Sequence, residues 1–273
     1  MTRDKPSIGM TLNKSEYIFT NELYGFDEAE NFHESSIIHP ALIPRGSDVR
    51  FSNIHDGHFL APTIKRSTKS YPDAEHVKLT PSESLEAKLS DCLSSRISNP
   101  PREGVELSFE DLSDILYYSY GVNKDRMDGD KLFWPRYIPS GGALYPNDVY
   151  IIVFRVDGLS QGCYYYNSRA NIISLVKKKL PEEALFVHTE RTEHPCIIGV
   201  ITSTFWRNKL KYGNRGYRFS LIESGHIMQN ISLCAAAKEV NCLPVGGFFD
   251  DRVNLYLDIN GVDEAALYCF LLG

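Results

Sequence analysis

Pro139-Ser-Gly-Gly-Ala-Leu-Tyr-Pro146 leads almost directly into Val149-Tyr-Ile-Ile-Val-Phe-Arg-Val156. Adjacent glycines admit backbone conformations closed to other residues and let the chain approach a flat ligand closely. Their N–H groups can then bond carbonyl or phosphate oxygens. Pro139 adds a rigid apolar face. The second stretch is β-branched or aromatic at nearly every position, the composition of a strand. Asp157-Gly158 and Gln161-Gly162 interrupt the chain before Cys163-Tyr-Tyr-Tyr166, and Asn167–Asn171 turns it into Ile172–Val176. Short strands separated by turn residues predict an antiparallel meander.

Working outward, helical signals flank this meander. Thr80-Pro-Ser-Glu83 has the composition of a capped helix start, and Leu85, Leu89 and Leu93 follow at helical spacing. Ser108 with Asp111 opens a second helix carrying Leu112, Ile115, Leu116 and Ser119, closed by Gly121. Downstream, Cys196–Phe205 is apolar enough for a central strand covered on both faces. The longest helix is predicted from about Tyr217 to Val240, with Leu221, Ile222, Gly225, Met228, Ser232 and Ala235 repeating every three or four residues. Gly225 reads either as simple core packing or as a close backbone approach at a subunit interface. Leu243–Phe249 is a short Gly-containing strand, Asp250 or Asp251 caps a short helix through Leu257, and Ala265–Leu272 is a terminal strand. Helices mix with antiparallel strands and no βαβ repeat occurs, so the fold class is α+β.

Composition narrows the function. The 273 residues carry a net charge of -6, which argues against nucleic acid as the main partner because phosphate neutralisation needs a basic surface. No apolar run approaches the roughly 18–20 residues that cross a bilayer, so no membrane partner is expected. Met1-Thr-Arg-Asp-Lys-Pro6 lacks the apolar core of a signal peptide. The six cysteines are scattered without a CxxC pair and suit a reducing cytoplasm; the eight histidines show no metal-ligand spacing, so no metal is expected. Residues 1–75, rich in His, Asn, Asp, Ser and Pro, are expected to form an irregular arm or docking segment. Residues 76–273 carry the ordered patterning and form the main domain.

Several motifs occur in a fixed order: Ser95-Arg96-Ile97-Ser98, the 139–146 stretch, Lys211-Tyr212, Arg215-Gly-Tyr-Arg218, Glu223-Ser-Gly-His-Ile-Met-Gln-Asn230 and Pro244-Val-Gly-Gly-Phe248. Together they resemble the SagB/McbC-type azoline dehydrogenases of the nitroreductase superfamily, over about Ser94 to Gly273. The resemblance implies a nitroreductase-like, antiparallel-rich central sheet flanked by helices, and FMN bound at the interface of a homodimer. By the same resemblance, Arg96 and Ser98 contact the flavin phosphate and ribityl chain. Pro139, Ser140, Gly141 and Gly142 line one side of the ring system, and Gly246 and Gly247 present backbone N–H groups near its reactive nitrogen. Ile97 and Pro100 stand where related proteins carry further arginines, which leaves Arg102, Arg215, Arg218 and Arg252 as candidates for a second phosphate cation.

Lys211 and Tyr212 match the family's catalytic pair. Oxidising a thiazoline or oxazoline to its azole removes a proton from carbon and a hydride, and a lysine drawn out of water can serve as the carbon-acid base. The implied substrate is an azoline-containing precursor peptide prepared by cyclodehydratase subunits of a synthetase complex, with molecular oxygen as the expected electron acceptor. A generic NAD(P)H-dependent nitro or quinone reductase, and a scaffold subunit of the synthetase, are the alternatives.

Overall fold

The computed structural model describes residues 27–37, 67–126 and 134–273. The chain divides into two units, Met1–Arg45 and Gly46–Gly273. In the first, the described residues form one helix, α1 (Asp27–Ser35), closed where Ser36 Oγ donates to the His33 carbonyl at 2.9 Å. The sequence reading found no element there. Most of the arm expected over residues 1–75 lies outside the described residues.

The second unit contains β1 (His76–Lys78), α2 (Leu89–Ser95), α3 (Phe109–Tyr120), β2 (Asn147–Val153), β3 (Gly162–Asn167), β4 (Ile172–Lys177), β5 (Ile197–Thr204), α4 (Trp206–Tyr212), α5 (Asn214–Ala237), β6 (Cys242–Val245), α6 (Asp250–Tyr256) and β7 (Glu264–Leu272). Its sheet of seven strands, among the described residues, runs β1-β4-β3-β2-β5-β7-β6 and every pairing is antiparallel. The expected meander is β2-β3-β4, with Ile151 opposite Tyr164 on one side and Gly199 of β5 on the other.

Alternate residues of β2 face opposite layers, as the two-residue period of a strand requires. Ile151 joins Leu112, Ile115 and Leu116 of α3 and Ile227 of α5 in one core; Tyr150 and Ile152 join Val253 of α6 in the other. All residues of β2 and β5 are buried, which explains the apolar runs Val149–Val153 and Ile197–Ile201 within them. Burying a side chain such as Ile201 contributes about 1.5–3 kcal/mol, so Ile201→Ala in this central strand is among the most damaging simple truncations. In α3, Ser108 caps the helix by accepting from the Asp111 N–H at 3.0 Å, as its position in the sequence predicts.

Four expectations are corrected. The helix expected from Thr80 begins only at Leu89, because tertiary bonds claim the capping residues. The Ser82 N–H and hydroxyl both donate to the Asp114 carboxylate, and Tyr118 donates to the Ser82 carbonyl. Leu89 and Leu93 are exposed instead of core-facing. On α5 the buried stripe runs through Ser220, Glu223, Ser224, Ile227, Met228, Ile231 and Ala235, so Leu221 and Ile222 point outward. Finally, β6 stops at Val245, short of Gly246-Gly247; Pro244 offers no N–H to extend the ladder on this outermost strand. Strand β1 and helix α4 were not anticipated, both being too short to show a period.

Candidate active site

The 139–146 segment forms a tight turn at the start of β2. Gly141–Ala143 makes one turn of 3-10 helix, with Gly142 at φ 64, and Ala143 and Tyr145 also take positive φ (54 and 45). Such conformations cost a non-glycine residue about 1–3 kcal/mol and persist only where the surroundings enforce them. Here the Tyr145 N–H donates to Ser140 Oγ at 2.9 Å, and the Arg136 N–H donates to the Tyr145 hydroxyl at 2.9 Å. The Arg136 guanidinium lies 4.5 Å from the Tyr145 ring centroid and 4.2 Å from that of Tyr120. Leu144, Tyr145 and Pro146 are buried by this arrangement while Pro139 and Gly142 remain exposed.

The turn meets the end of α4. A Cβ added to Gly142 would sit 2.7 Å from Lys211 Nζ and 2.8 Å from Tyr212 Oη, so the glycine leaves the space those two groups use. A Cβ on Gly141 would come 3.1 Å from the Phe219 ring of α5, whose centroid lies 5.0 Å from that of Tyr212 in an edge-to-face contact. Gly213, at φ 54 and ψ -136, redirects the chain from α4 into α5 and so fixes the half-buried Lys211 and Tyr212 beside the turn.

Beneath the turn lies a buried polar cluster that the motif reading did not assign. Glu223 of α5 is 2% exposed, and among the described residues neither carboxyl oxygen has a hydrogen-bond partner of ordinary geometry. Burial pushes its carboxyl up from 4.5 to about 8, although the Ser140 hydroxyl, Arg136, Arg207 and the Asn147 N–H all work in the opposite direction. The Ser140 hydroxyl and Asn147 N–H are thus close enough to act on the carboxyl without making hydrogen bonds of ordinary geometry. Asn147 Nδ2 donates to the Ser220 carbonyl at 3.1 Å while its Oδ1 is unsatisfied. Arg207 of α4 is spoken for by Asp148, at 2.8 Å with both side chains buried, and Asp148 also accepts from the Tyr165 hydroxyl at 2.9 Å. The sequence signal for this cluster was Glu223 as the first residue of the Glu223–Asn230 motif, with no role attached to it.

The remaining predicted residues assemble elsewhere. Ser98 bridges Cys242 of β6, and the next residue, Asn99, donates its N–H to the Cys242 carbonyl at 3.2 Å. Arg96 lines an open groove of about 730 Å³ together with Lys88, Asp91, Arg102, Ala236 and Asn241. Asn241 accepts from the Arg102 guanidinium at 3.2 Å and donates to the Pro100 carbonyl at 2.8 Å, which tethers Arg102 in this groove. Gly246 and Gly247 follow β6 and are exposed; the Gly247 carbonyl accepts from the Val187 N–H at 3.0 Å, and a Cβ on Gly246 would meet nothing within 4 Å. Arg252 lies apart, bonded to Glu183 and to the Ala184 carbonyl.

Within one chain, therefore, Ser140, Gly141, Gly142, Lys211 and Tyr212 come together at the N-terminal end of α5, and Arg96 and Ser98 gather with β6 near its C-terminal end. Phe219 and Ala236 mark the two ends, about 25 Å apart along the helix axis. A further cavity of about 470 Å³, lined by Lys69, Tyr71, Tyr150, Lys177, Tyr256 and Glu264, contains none of these residues, and its main charges are paired as Lys69–Glu264 and Lys177–Asp258. Among the described residues no cluster of His, Cys, Asp or Glu could hold a metal ion, and no helix is long and apolar enough to cross a membrane.

The fold agrees with comparison to known proteins. The model of the nitroreductase family matches residues 103–273, and the chain belongs to that family. A protein of Methanocaldococcus jannaschii named as a nitroreductase, MJ1384, is 31% identical over 177 residues, spanning 64% of this chain and 86% of its own. The trifolitoxin-processing protein TfxB of Rhizobium leguminosarum bv. trifolii is 25% identical over 143 residues, covering 50% of this chain but only 38% of TfxB. Among solved structures, one from Anabaena variabilis named as a nitroreductase superposes with a TM-score of 0.66 at 25% identity, over 89% of this chain and 46% of that one. The fold is also shared with a chain of the E. coli microcin synthetase McbBCD complex with truncated pro-MccB17 bound, at TM-score 0.59 and 20% identity, over 96% of this chain and 97% of that one.

Proposed function

We propose that this protein is an FMN-dependent dehydrogenase that oxidises thiazolines or oxazolines in a ribosomally made peptide to thiazoles or oxazoles. The observation that carries the reading is that Lys211 Nζ and Tyr212 Oη both stand where a side chain on Gly142 would lie, which sets a candidate base and a second proton donor at an exposed glycine turn. A simple nicotinamide-accepting reductase needs no such carbon-acid base. The similarity to TfxB, a trifolitoxin-processing protein, supports the same reading.

The residues present fit a flavin. Arg96 with Arg102 offers two guanidiniums for a phosphate, a task their planar donor forks suit. Arg102 is the candidate second cation that shares the groove with Arg96, which ranks it above Arg252. Pro139, Ser140, Gly141 and Gly142 would form the wall against the ring system, with Gly246 and Gly247 offering exposed backbone on the other side. Bound FMN would accept the hydride from the azoline ring. Lys211 Nζ takes the accompanying proton from ring carbon, and Tyr212 orients the ring nitrogen or shares the proton.

A second copy of the chain joins the two halves of the site, bringing the Arg96 groove of one protomer to the glycine turn of its partner. Support comes from the roughly 25 Å that separates the halves within one chain, and from Leu89, Leu93, Ile97, Leu221 and Ile222, all exposed. A Cβ on Gly225 of α5 would meet nothing within 4 Å, leaving that face open to close approach. The expected partners are cyclodehydratase subunits of a synthetase complex, and the six buried free thiols suit a reducing cytoplasm.

Mass spectrometry tests the reading. A peptide cyclised by a cyclodehydratase and then treated with this protein and FMN should lose about two mass units per ring, the two hydrogens removed. Unchanged peptide mass from FMN-loaded protein would overturn the azoline assignment, and NAD(P)H-driven reduction of a quinone by the same sample would then identify the generic reductase. Protein that takes up no FMN at all would leave the scaffold role.

A further inference from the structure

We propose that Glu223 is a positioning residue for the Ser140–Gly142 turn, and that its neutral carboxylic acid, not its carboxylate, is the form that holds the turn in place. The role deepens the flavin reading above and rests on it. The turn is strained, with positive φ at the non-glycine residues Ala143 and Tyr145, so it needs support from below. One support is visible: Ser140 Oγ accepts from the Tyr145 N–H, which leaves the hydroxyl proton of Ser140 to be donated. Glu223 and Asn147 lie beneath, tied to α5 through the bond from Asn147 Nδ2 to the Ser220 carbonyl.

A donor count decides the protonation state. Among the described residues Glu223 Oε1, Glu223 Oε2 and Asn147 Oδ1 are three buried acceptors without a bonded partner of ordinary geometry, and only two donors, the Ser140 hydroxyl and the Asn147 N–H, stand close to the carboxyl. A carboxylate contributes acceptors alone, whereas the acid adds an O–H donor. Arg136 and Arg207 act on the charged form only from a distance, and among the described residues no cation forms an ion pair with it. From α4, Arg207 is committed to Asp148 of β2 at 2.8 Å. From the segment before the turn, Arg136 is stacked between the rings of Tyr120 and Tyr145, and its guanidinium donates to the Ser67 carbonyl at 3.1 Å. From α3, Tyr120 spends its hydroxyl on the Asn147 carbonyl. A buried anion without a paired cation is far more costly than a neutral acid, so the proton stays. The upward displacement of the carboxyl to about 8 agrees with this count.

The consequence is a turn that loosens in mild alkali, and with it the placement of Lys211 and Tyr212, which lie against Gly142. If only the protonated form holds the flavin wall, a group titrating at about 8 leaves about one-tenth of the molecules competent near pH 9. The dissociation constant of FMN, measured by fluorescence quenching, should then rise about tenfold between about pH 7 and about pH 9. In Glu223→Gln, neutral at every pH, that rise should be absent. Equal pH slopes in the two proteins, with FMN bound by both, would overturn the role of Glu223 while leaving the flavin reading intact.

Amide hydrogen exchange of residues 139–147 in the wild-type protein supplies a second readout that needs neither the variant nor FMN. Protection there, corrected for the intrinsic exchange rate, should fall across the same pH window while protection in β5 holds. Uniform protection across that window also overturns the proposal. FMN binding by neither protein at any pH, with the exchange change present, would overturn the flavin reading and reduce Glu223 to a support of the turn alone.

Discussion

The two ends of α5 are built on opposite principles. At the N-terminal end the turn at 139–146 is strained, braced by Arg136 between two aromatic rings, and underlain by a buried acid with no bonded partner. At the C-terminal end Arg96 and Arg102 line an open groove, and their neighbours Asn99 and Asn241 tie the loop to β6 through ordinary hydrogen bonds. A rigid turn suits a residue that must meet reacting atoms within a fraction of an ångström. An open groove that presents two guanidiniums suits a flexible, anionic ligand terminus, because charge attraction tolerates small displacements. The difference predicts that changes at the first end act on chemistry and changes at the second act on cofactor affinity.

Replacing the base should break the comparison most sharply. Lys211→Ala is expected to lower azole formation about a hundredfold or more, the usual contribution of a general base, while the purified protein keeps its flavin absorbance. Full activity in that variant would remove Lys211 from the mechanism. Arg96→Ala and Arg102→Ala should each weaken FMN binding by about tenfold to a hundredfold, as loss of a charge-assisted contact does, with little change in affinity for riboflavin, which lacks the phosphate. Parallel losses for both ligands would instead mean that the groove had collapsed.

Gly142→Ala probes the turn itself. Its Cβ would crowd the mobile ends of Lys211 and Tyr212, and φ 64 disfavours alanine by about 1 kcal/mol. Turnover should therefore fall about tenfold, with only a modest drop in the thermal midpoint.

Glu223 has a stability signature as well. Its carboxyl titrates at about 8 in the folded chain against an ordinary 4.5, so between these values the folded state holds the extra proton. Stability must then fall as pH rises through that window, by on the order of a few kcal/mol, and level off above it. Thermal unfolding of Glu223→Gln should lack this decline and overtake the wild type in alkali. The smallest effect is expected for Arg252→Ala, which touches neither end; its FMN affinity should match the wild type within about twofold.

Much of the fold was legible because its signals are local. Ser108 and Asp111 cap α3 whatever surrounds them, and the turn residues between β2, β3 and β4 act within a few positions of the chain. The glycine pair and Lys211-Tyr212 were visible as ordered motifs. The start of α2 was misread because Ser82 spends its hydrogen bonds on Asp114, a partner 32 residues away. Leu221 and Ile222 fit the helical period as well as the true buried stripe does, and only the neighbours of α5 distinguish the two faces.

By itself, then, the sequence determined the α+β class, the order of most elements and the motifs that mark the candidate site, since periodicity, capping and turn chemistry act over a few residues. Only the tertiary structure decided that Lys211 and Tyr212 lie beside Gly142, that Arg96 stands near the far end of α5, and that Glu223 is sealed beneath the turn with no ion pair among the described residues. Those are matters of burial and contact between distant segments, and a carboxyl group's charge depends on the solvent and counter-charges that packing leaves around it.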